Sequence, residues 1–268
     1  MNENRFTYKE VLGLRFPTSL MGQSRAYSHI YYVDGLLIDT GHPRKRKDVL
    51  KAVDGLPVKQ IFITHHHEDH SGNIPELQRK FNCKVYSSTL CAQYMKDPPP
   101  LTFAQKLYWG IRGPYHDLIP LEGTFKTENY EFQLIPIPGH AADMLALYEP
   151  NKRWLFSADL YINSRIGYYI TTESIKEQIE SINRILELDF DVMFCSHNPQ
   201  LTNGKVKLKE KLDFLEDFVK DVMKLSDKGH QPKEIFKLLK LKELKTIKFL
   251  SSGELSKMNM VKSVLRDY

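Results

Sequence analysis

Cysteine is scarce in this 268-residue chain: Cys83, Cys91 and Cys195 are the only three, and no two form a Cys-x-x-Cys pair. That argues against a disulfide framework or a structural zinc ribbon and suits a reducing compartment. No apolar run approaches the roughly 20 residues of a membrane span, and Met1-Asn2-Glu3-Asn4-Arg5 leads into no apolar leader segment. The expectation is a soluble, cytoplasmic protein without membrane contact. Solenoid-type repeats and a linker rich in Gly, Ser or Pro are also missing, so one domain is expected rather than two joined units. Excess charge is modest, at a formal +5. From Lys205 to Tyr268 sixteen Lys/Arg face ten Asp/Glu, which leaves the remainder close to neutral. A lysine-rich helical tail of this kind reads as a solvated face, not as a nucleic-acid surface.

The hydrophobic share of 41% is enough for a real core, and the pattern is of strands feeding loops and then helices. Residues 6–16 read as a first strand and 17–23 as a loop. Residues 27–33 and 36–39 read as strands joined by an Asp34-Gly35 hairpin turn. Helical spacing of Val49, Leu50 and Val53 predicts a helix over 44–53, stopped by Gly55-Leu56-Pro57. The β-branched run 58–63 has the character of a buried strand. Further strands are expected at 83–86, 130–137, 144–148, 153–156 and 191–195, with helices at 71–80, 87–95 and 173–188. After Pro199 the chain turns helical, with Leu208, Leu212, Leu215, Val219, Val222 and Met223 in one stripe. Asp97-Pro98-Pro99-Pro100 opens an insertion, 97–120, rich in aromatics (Phe103, Tyr108, Trp109, Tyr115). Two readings of it stand: a lid over the site, or peripheral packing.

The densest chemistry lies in Thr64-His65-His66-His67-Glu68-Asp69-His70-Ser71-Gly72-Asn73. His65, His67, Asp69 and His70 put four potential metal ligands within six residues, in a strand-to-helix loop where a rigid scaffold can aim them at one point. His66 alternates out of that pattern and is read as packing or capping locally; His29, His42, His116 and His230 are read the same way. His140 after Pro138-Gly139, Asp159 after Ser157-Ala158, and His197 after Ser196 each follow a predicted strand. Five imidazoles and two carboxylates without a thiolate suit zinc, with iron and manganese as alternatives. Seven ligands are too many for one four- or five-coordinate ion and suit two divalent ions sharing a carboxylate and a water. Asp39, at a strand end beside Thr40-Gly41, reads as a support for the histidine loop in preference to a ligand.

The run His65-x-His67-x-Asp69-His70, followed by Pro138-Gly139-His140, Ser157-Ala158-Asp159 and Ser196-His197, resembles the metallo-β-lactamase superfamily; Leu37-Ile38-Asp39-Thr40-Gly41 matches its first motif. The resemblance covers roughly residues 10–200. It implies an α+β fold, a four-layer αββα sandwich over 1–204, with 205–268 a helical extension packed on the same domain. It also implies that His65, His67 and His140 hold one metal, that Asp69, His70 and His197 hold the other, and that Asp159 bridges them. Enzymes of the family that open β-lactams usually lack either the His after the motif aspartate or the bridging aspartate, and this chain has both His70 and Asp159. The flavodiiron branch typically has Glu where this chain has His67. The resemblance thus points to hydrolases of the glyoxalase II, lactonase and RNA-processing branches.

The expected mechanism is attack by a hydroxide bridging the two ions, with Asp69 holding it and passing its proton to the leaving group. No Ser or Cys nucleophile is needed, and Cys195 reads as a buried core thiol. The aromatic insertion favours a small-molecule substrate with an apolar or acyl part, hence a small ester, thioester or lactone. Tyr161, Tyr168 and Tyr169 follow Asp159 closely, and the resemblance to lactonases that carry a Tyr shortly after the bridging Asp implies an oxyanion-assisting tyrosine among them, unassigned from sequence. Two alternatives remain open: a phosphodiesterase or nuclease, with the basic tail and Arg112 or Arg165 binding phosphate, and a metal-binding partner or sensing module without turnover.

Overall fold

Alternation of side chains along buried strands builds the architecture, because successive residues of a strand face opposite sides of its sheet. In the computed structural model, which describes residues 4–20, 23–251 and 253–268, seven strands lie side by side in chain order: β1 (Arg5–Tyr8), β2 (Val11–Leu20), β3 (Gln23–Val33), β4 (Leu36–Ile38), β5 (Gln60–Ile63), β6 (Lys84–Ser87) and β7 (Ile119–Pro120). The pairs from β1 to β4 are antiparallel and those from β4 to β7 parallel. A second sheet contains β8 (Thr124–Lys126), β9 (Glu131–Pro136), β10 (Leu145–Glu149), β11 (Trp154–Ala158) and β13 (Val192–Cys195), in the order β13-β11-β10-β9-β8. A short ribbon joins β12 (Tyr169–Ile170) to β14 (Leu255–Ser256).

Leu36, Ile38 and Phe62 of the first sheet share a core with Leu145, Leu147, Trp154, Phe156 and Phe194 of the second. Their neighbours Leu37, Ile61 and Ile63 turn the other way. They pack on helices α1 (Arg46–Ala52), α3 (Ile74–Phe81) and α4 (Thr89–Lys96) through Val49, Leu77 and Ala92. On the second sheet Ala146, Leu155 and Met193 turn outward onto α6 (Ile175–Leu186), α7 (Gly204–Ser226), α8 (Pro232–Leu238) and α10 (Lys257–Asp267). The result is the α+β sandwich of four layers, helix–sheet–sheet–helix, that the resemblance implied. Two short helices, α2 (Glu68–Ser71) and α5 (Phe103–Tyr108), and α9 (Lys245–Leu250) complete the set named here. Among the described residues no helix is long and apolar enough to cross a membrane.

Several expectations need correcting. Residues 6–16 are not one strand: Lys9, at φ 51°, turns the chain between β1 and β2. Pro17, expected in a loop, lies within β2 opposite Tyr27. A strand tolerates proline there because, among the described residues, β1 pairs only as far as Leu14 and β2 has a single strand neighbour at that point. Residues 21 and 22 of the expected loop, Met1 to Glu3 and the Phe103 side chain lie outside what the structure describes. The Asp34-Gly35 turn is as expected, with both residues at positive φ, 47° and 78°. The start of α5 also has a local cause. Thr102 Oγ1 accepts from Gln105 N while Gln105 Oε1 accepts from Thr102 N, a reciprocal cap.

Candidate metal centre

The loops that follow β4, β5, β11 and β13 all open at one edge of the sandwich, where the carboxyl ends of parallel strands converge. Thr64 O accepts from Leu145 N at 3.0 Å and ties the histidine loop to the second sheet. Thr40 N and Oγ1 each lie 2.7 Å from His70 O, and Asn73 Nδ2 donates to the carbonyls of Thr40 and Gly41. The loop thereby has little freedom. His140 arrives through Gly139, at φ 127°, where a Cβ would stand 2.5 Å from Gln178 N, so the tight approach to α6 requires glycine.

All seven residues singled out from the sequence come together here, in two adjoining groups: His65, His67 and His140, and Asp69, His70, Asp159 and His197. In the first, His67 Nδ1 lies 3.1 Å from both His65 Nε2 and His140 Nε2. In the second, His197 Nε2 lies 3.0 Å from Asp159 Oδ2 and 3.4 Å from Asp69 Oδ2, and His70 Nε2 lies 3.4 Å from Asp159 Oδ1. Asp159 also reaches the first group, with Oδ2 3.4 Å from His140 Nε2.

Four of the five rings have the outer nitrogen held from behind, which fixes both ring orientation and tautomer. His70 Nδ1 meets Asp39 Oδ2 at 2.8 Å, His140 Nδ1 meets Glu173 Oε1 at 2.5 Å, and His197 Nδ1 meets Tyr27 O at 2.7 Å. His65 Nδ1 lies 3.1 Å from Thr64 Oγ1. The lone pairs of the inner nitrogens are left to point at one another. The two 3.1 Å separations from His67 Nδ1 are close to the ligand–ligand edge around a tetrahedral ion with metal–nitrogen bonds of about 2.0–2.1 Å. Among the described residues, His70 Nε2 and Asp159 Oδ1 are buried and lack a hydrogen-bond partner, as atoms that would ligate a cation do.

Electrostatics agree. Burial and the neighbouring imidazoles push His65 and His67 well below the usual histidine range, so both are neutral donors. Burial also works to lower His70, His140 and His197, but nearby carboxylates outweigh it in all three: His197 rises to about 9, and His70 rises well above its usual value. The Asp69–Asp159 corner attracts positive charge, whether a proton or a metal ion supplies it. The donor set and its geometry fit divalent metal ions.

The remaining histidines have local explanations. His66 N and Nδ1 both meet the Asp143 carboxylate at 2.8 Å. His29 is buried, bonded to Ser196 O at 3.0 Å and lowered to about 4 by burial. His42 packs under Trp109, His116 is exposed, and His230 sits 3.7 Å from Glu234. Cys195 is a buried thiol, pushed up to about 12 by burial, that donates to Tyr161 O.

Glu173 and Asp143 are missing from the sequence reading, although each is a buried carboxylate clamping a histidine. The only available signal was an acidic residue near a ligand loop, and surface acids share it.

The insertion lies against the site. The Trp109 ring centre is 6.3 Å from that of His197. Arg112 Nε lies 3.3 Å from Glu68 Oε1, with both side chains under 5% exposed, so Arg112 is engaged inside the protein. Of the three tyrosines after Asp159, Tyr161 and Tyr169 are buried. Tyr168 stays partly exposed, and the carboxylates of Glu173, Asp159 and Asp69 add to burial in keeping its phenol protonated. A cavity of about 540 Å³ lies beyond Tyr161 and Asn198 and is lined in part by Arg165, Lys207 and Glu210.

A metallo-beta-lactamase superfamily model matches residues 26–197. A hydroxyacylglutathione hydrolase from Bdellovibrio bacteriovorus is 26% identical over 62% of this chain and 59% of its own length. An atrochrysone carboxyl ACP thioesterase from Aspergillus fumigatus is 24% identical over 66% of this chain and 51% of its own. This chain therefore spans little more than half of either relative. In structure, a metallo-beta-lactamase family protein from Thermus thermophilus aligns with a TM-score of 0.68 and 16% identity, covering 97% of this chain and 92% of that one. With the model covering well over half of the sequence and the same architecture in the solved relative, the chain belongs to the metallo-β-lactamase superfamily.

Proposed function

We propose that the chain is a hydrolase using two divalent metal ions, most readily zinc, to cleave a small ester, thioester or lactone. The observation that carries this reading is Asp159, whose carboxylate stands within 3.4 Å of both His140 of one donor group and His197 and His70 of the other. In this reading His65, His67 and His140 hold one ion, Asp69, His70 and His197 the other, and Asp159 serves both. Ions bound there would act as Lewis acids toward a carbonyl oxygen and lower the pKa of a shared water toward neutrality.

The rest of the chemistry falls to this chain's own residues. Asp69 accepts a proton from the attacking water and delivers it to the leaving group. The Tyr168 phenol, protonated and beside the carboxylate corner, donates to the oxyanion that develops at the scissile carbonyl. Trp109 offers an aromatic wall to the apolar or acyl part of the substrate, and the cavity beside Asn198 and Tyr161 accepts its polar part. Segment 97–120 then acts as a cover over the site. Support for thioester or ester chemistry comes from the two relatives named above, one named a hydroxyacylglutathione hydrolase and the other an ACP thioesterase.

The test is metal analysis of the purified protein together with a panel of thioester, lactone, phosphodiester and β-lactam substrates. Close to two metals per chain and chelator-sensitive turnover of thioesters or lactones are expected. Fewer than one metal after reconstitution with zinc, iron or manganese would sink the two-ion reading. Turnover of phosphodiesters alone would favour the nuclease alternative, and no turnover at all would favour a binding module. Asp159→Ala is expected to abolish activity with the fold retained by circular dichroism; normal turnover would remove the bridging role.

A further inference from the structure

The C-terminal helices grip the segment that follows Asp159 at one main-chain carbonyl after another. Lys211 Nζ of α7 donates to Leu160 O at 2.5 Å, and Lys257 Nζ donates to Ile166 O. Asn259 Nδ2 donates to Tyr169 O at 3.1 Å, and β14 pairs with β12 at the same place. At the end of the segment, Glu173 O accepts from Ser263 Oγ at 3.0 Å and from Arg266 Nη2 at 2.7 Å; Arg266 Nη1 also reaches Thr171 O, at 3.4 Å. Ser263 Oγ in addition accepts from Ile175 N at 2.9 Å and joins the grip to the start of α6.

This last contact leads into the site. The side chain of Glu173 has one oxygen on His140 Nδ1 at 2.5 Å and the other on Ile170 N at 2.9 Å. The line from α10 to the first donor group is thus short: Ser263 and Arg266, the Glu173 main chain, the Glu173 carboxylate, the His140 ring.

We propose that α10 is a positioning element for the His65–His67–His140 group, with Ser263 and Arg266 as positioning residues acting through Glu173. This inference rests on reading those histidines as metal ligands. An imidazole whose rear nitrogen is held by a carboxylate is a better oriented and more basic ligand, and loss of such support typically weakens metal binding 10–100-fold. The second donor group gains its rear support from Asp39 and Tyr27 O, neither of which α10 touches through these contacts.

The experiment uses Co²⁺ as the probe on metal-free full-length protein, followed by calorimetry and by the visible absorption of the bound ion. The variants are Arg266→Ala, Ser263→Ala, their double, Arg266→Lys and Glu173→Gln. Wild type is expected to take up two equivalents. The Ala variants should bind one of the two about 10-fold more weakly, with a changed visible band for that ion and the other ion unaffected. Arg266→Lys should recover part of the loss. A purely structural role for α10 would lower the melting temperature and leave both affinities and bands as in wild type; that result overturns the proposal. If the Ala variants fail to fold, Arg266→Lys decides, since it keeps the charge but loses the guanidinium's second contact: a weakened first ion supports the proposal and two wild-type affinities overturn it, with Glu173→Gln marking which ion is the first. Should wild type bind no Co²⁺, the metal reading itself fails and this inference falls with it, an outcome distinct from two normal ions in every variant.

Discussion

Asp39 shows how much one side chain settles at this edge of the sandwich. Its Oδ1 accepts from Thr64 N at 2.9 Å, its Oδ2 meets His70 Nδ1 at 2.8 Å, and Thr64 Oγ1 sits 3.0 Å from both oxygens. It does so from φ 66°, a conformation that costs about 1 kcal/mol or more and persists where surrounding bonds over-determine it. Tyr168 has the opposite character, with a ring partly exposed and free of such a frame. If its phenol donates to the oxyanion, Tyr168→Phe should lower kcat about 100-fold with KM little changed. Steady-state kinetics on the best thioester or lactone decide; an unchanged kcat removes Tyr168 from the mechanism. Lys211 gives a prediction about pH. It is 2% exposed, and burial lowers its pKa to about 8. Between pH 8 and the unfolded value near 10.5 the unfolded chain keeps a proton that the folded chain has released. Stability therefore rises with pH across that window, by about 3 kcal/mol for a shift of this size, and the penalty is fully present below pH 8. Lys211→Met removes that term. Urea denaturation at pH 8, 9 and 10 should show wild type gaining on the variant as pH rises; parallel curves would refute the burial-driven shift.

At the scale of elements, the buried Arg112–Glu68 pair joins segment 97–120 to α2. Truncating Arg112 to Ala leaves Glu68 buried without its partner, which typically costs about 3–5 kcal/mol. Arg112→Met combined with Glu68→Gln removes both charges at similar volume and should cost much less. Equilibrium unfolding of the two variants checks this, and equal losses would mean that the pair carries no special weight. The sequence could not disclose such a pair, because the spacing of 44 residues between Glu68 and Arg112 is set only by the folded chain. The same limit hid Glu173 and Asp143, whose partners His140 and His66 lie 33 and 77 residues away. What could be read were the features local physics dictates. A metal site needs particular donor types in close order, so His65, His67, Asp69 and His70 stood out, and buried strands such as β5 announce themselves through β-branched runs. β12 and β14, each two residues long, carry no pattern to read. Pro17 was misplaced because whether a strand has one neighbour or two is a property of the sheet, not of the strand.

For the molecule as a whole, the donors come from both halves of the sandwich. His65, His67, Asp69 and His70 follow β5 of the first sheet, whereas His140, Asp159 and His197 follow β9, β11 and β13 of the second. Ions bound by these residues would therefore cross-link the two sheets at their open edge, in addition to any role in chemistry. Removing them would leave the inter-sheet core of Phe62, Trp154, Phe156 and Phe194 in place, so the chelated protein should stay folded. It would nonetheless lose the stabilisation that binding adds to the native state, about 4 kcal/mol for each ion at a free concentration 1,000 times its dissociation constant. For a chain of this size that corresponds to a fall in Tm on the order of 10 °C. Hydrogen exchange should rise on chelation in the loops at 64–73, 138–143, 157–161 and 196–199. Amides within β5 and β11 should stay protected, because they pair inside one sheet or the other and not through the ions. Restoring zinc should reverse both effects. A melting temperature unmoved by chelation, with exchange unchanged in all four loops, would show that the ions do not join the halves, even if they support turnover.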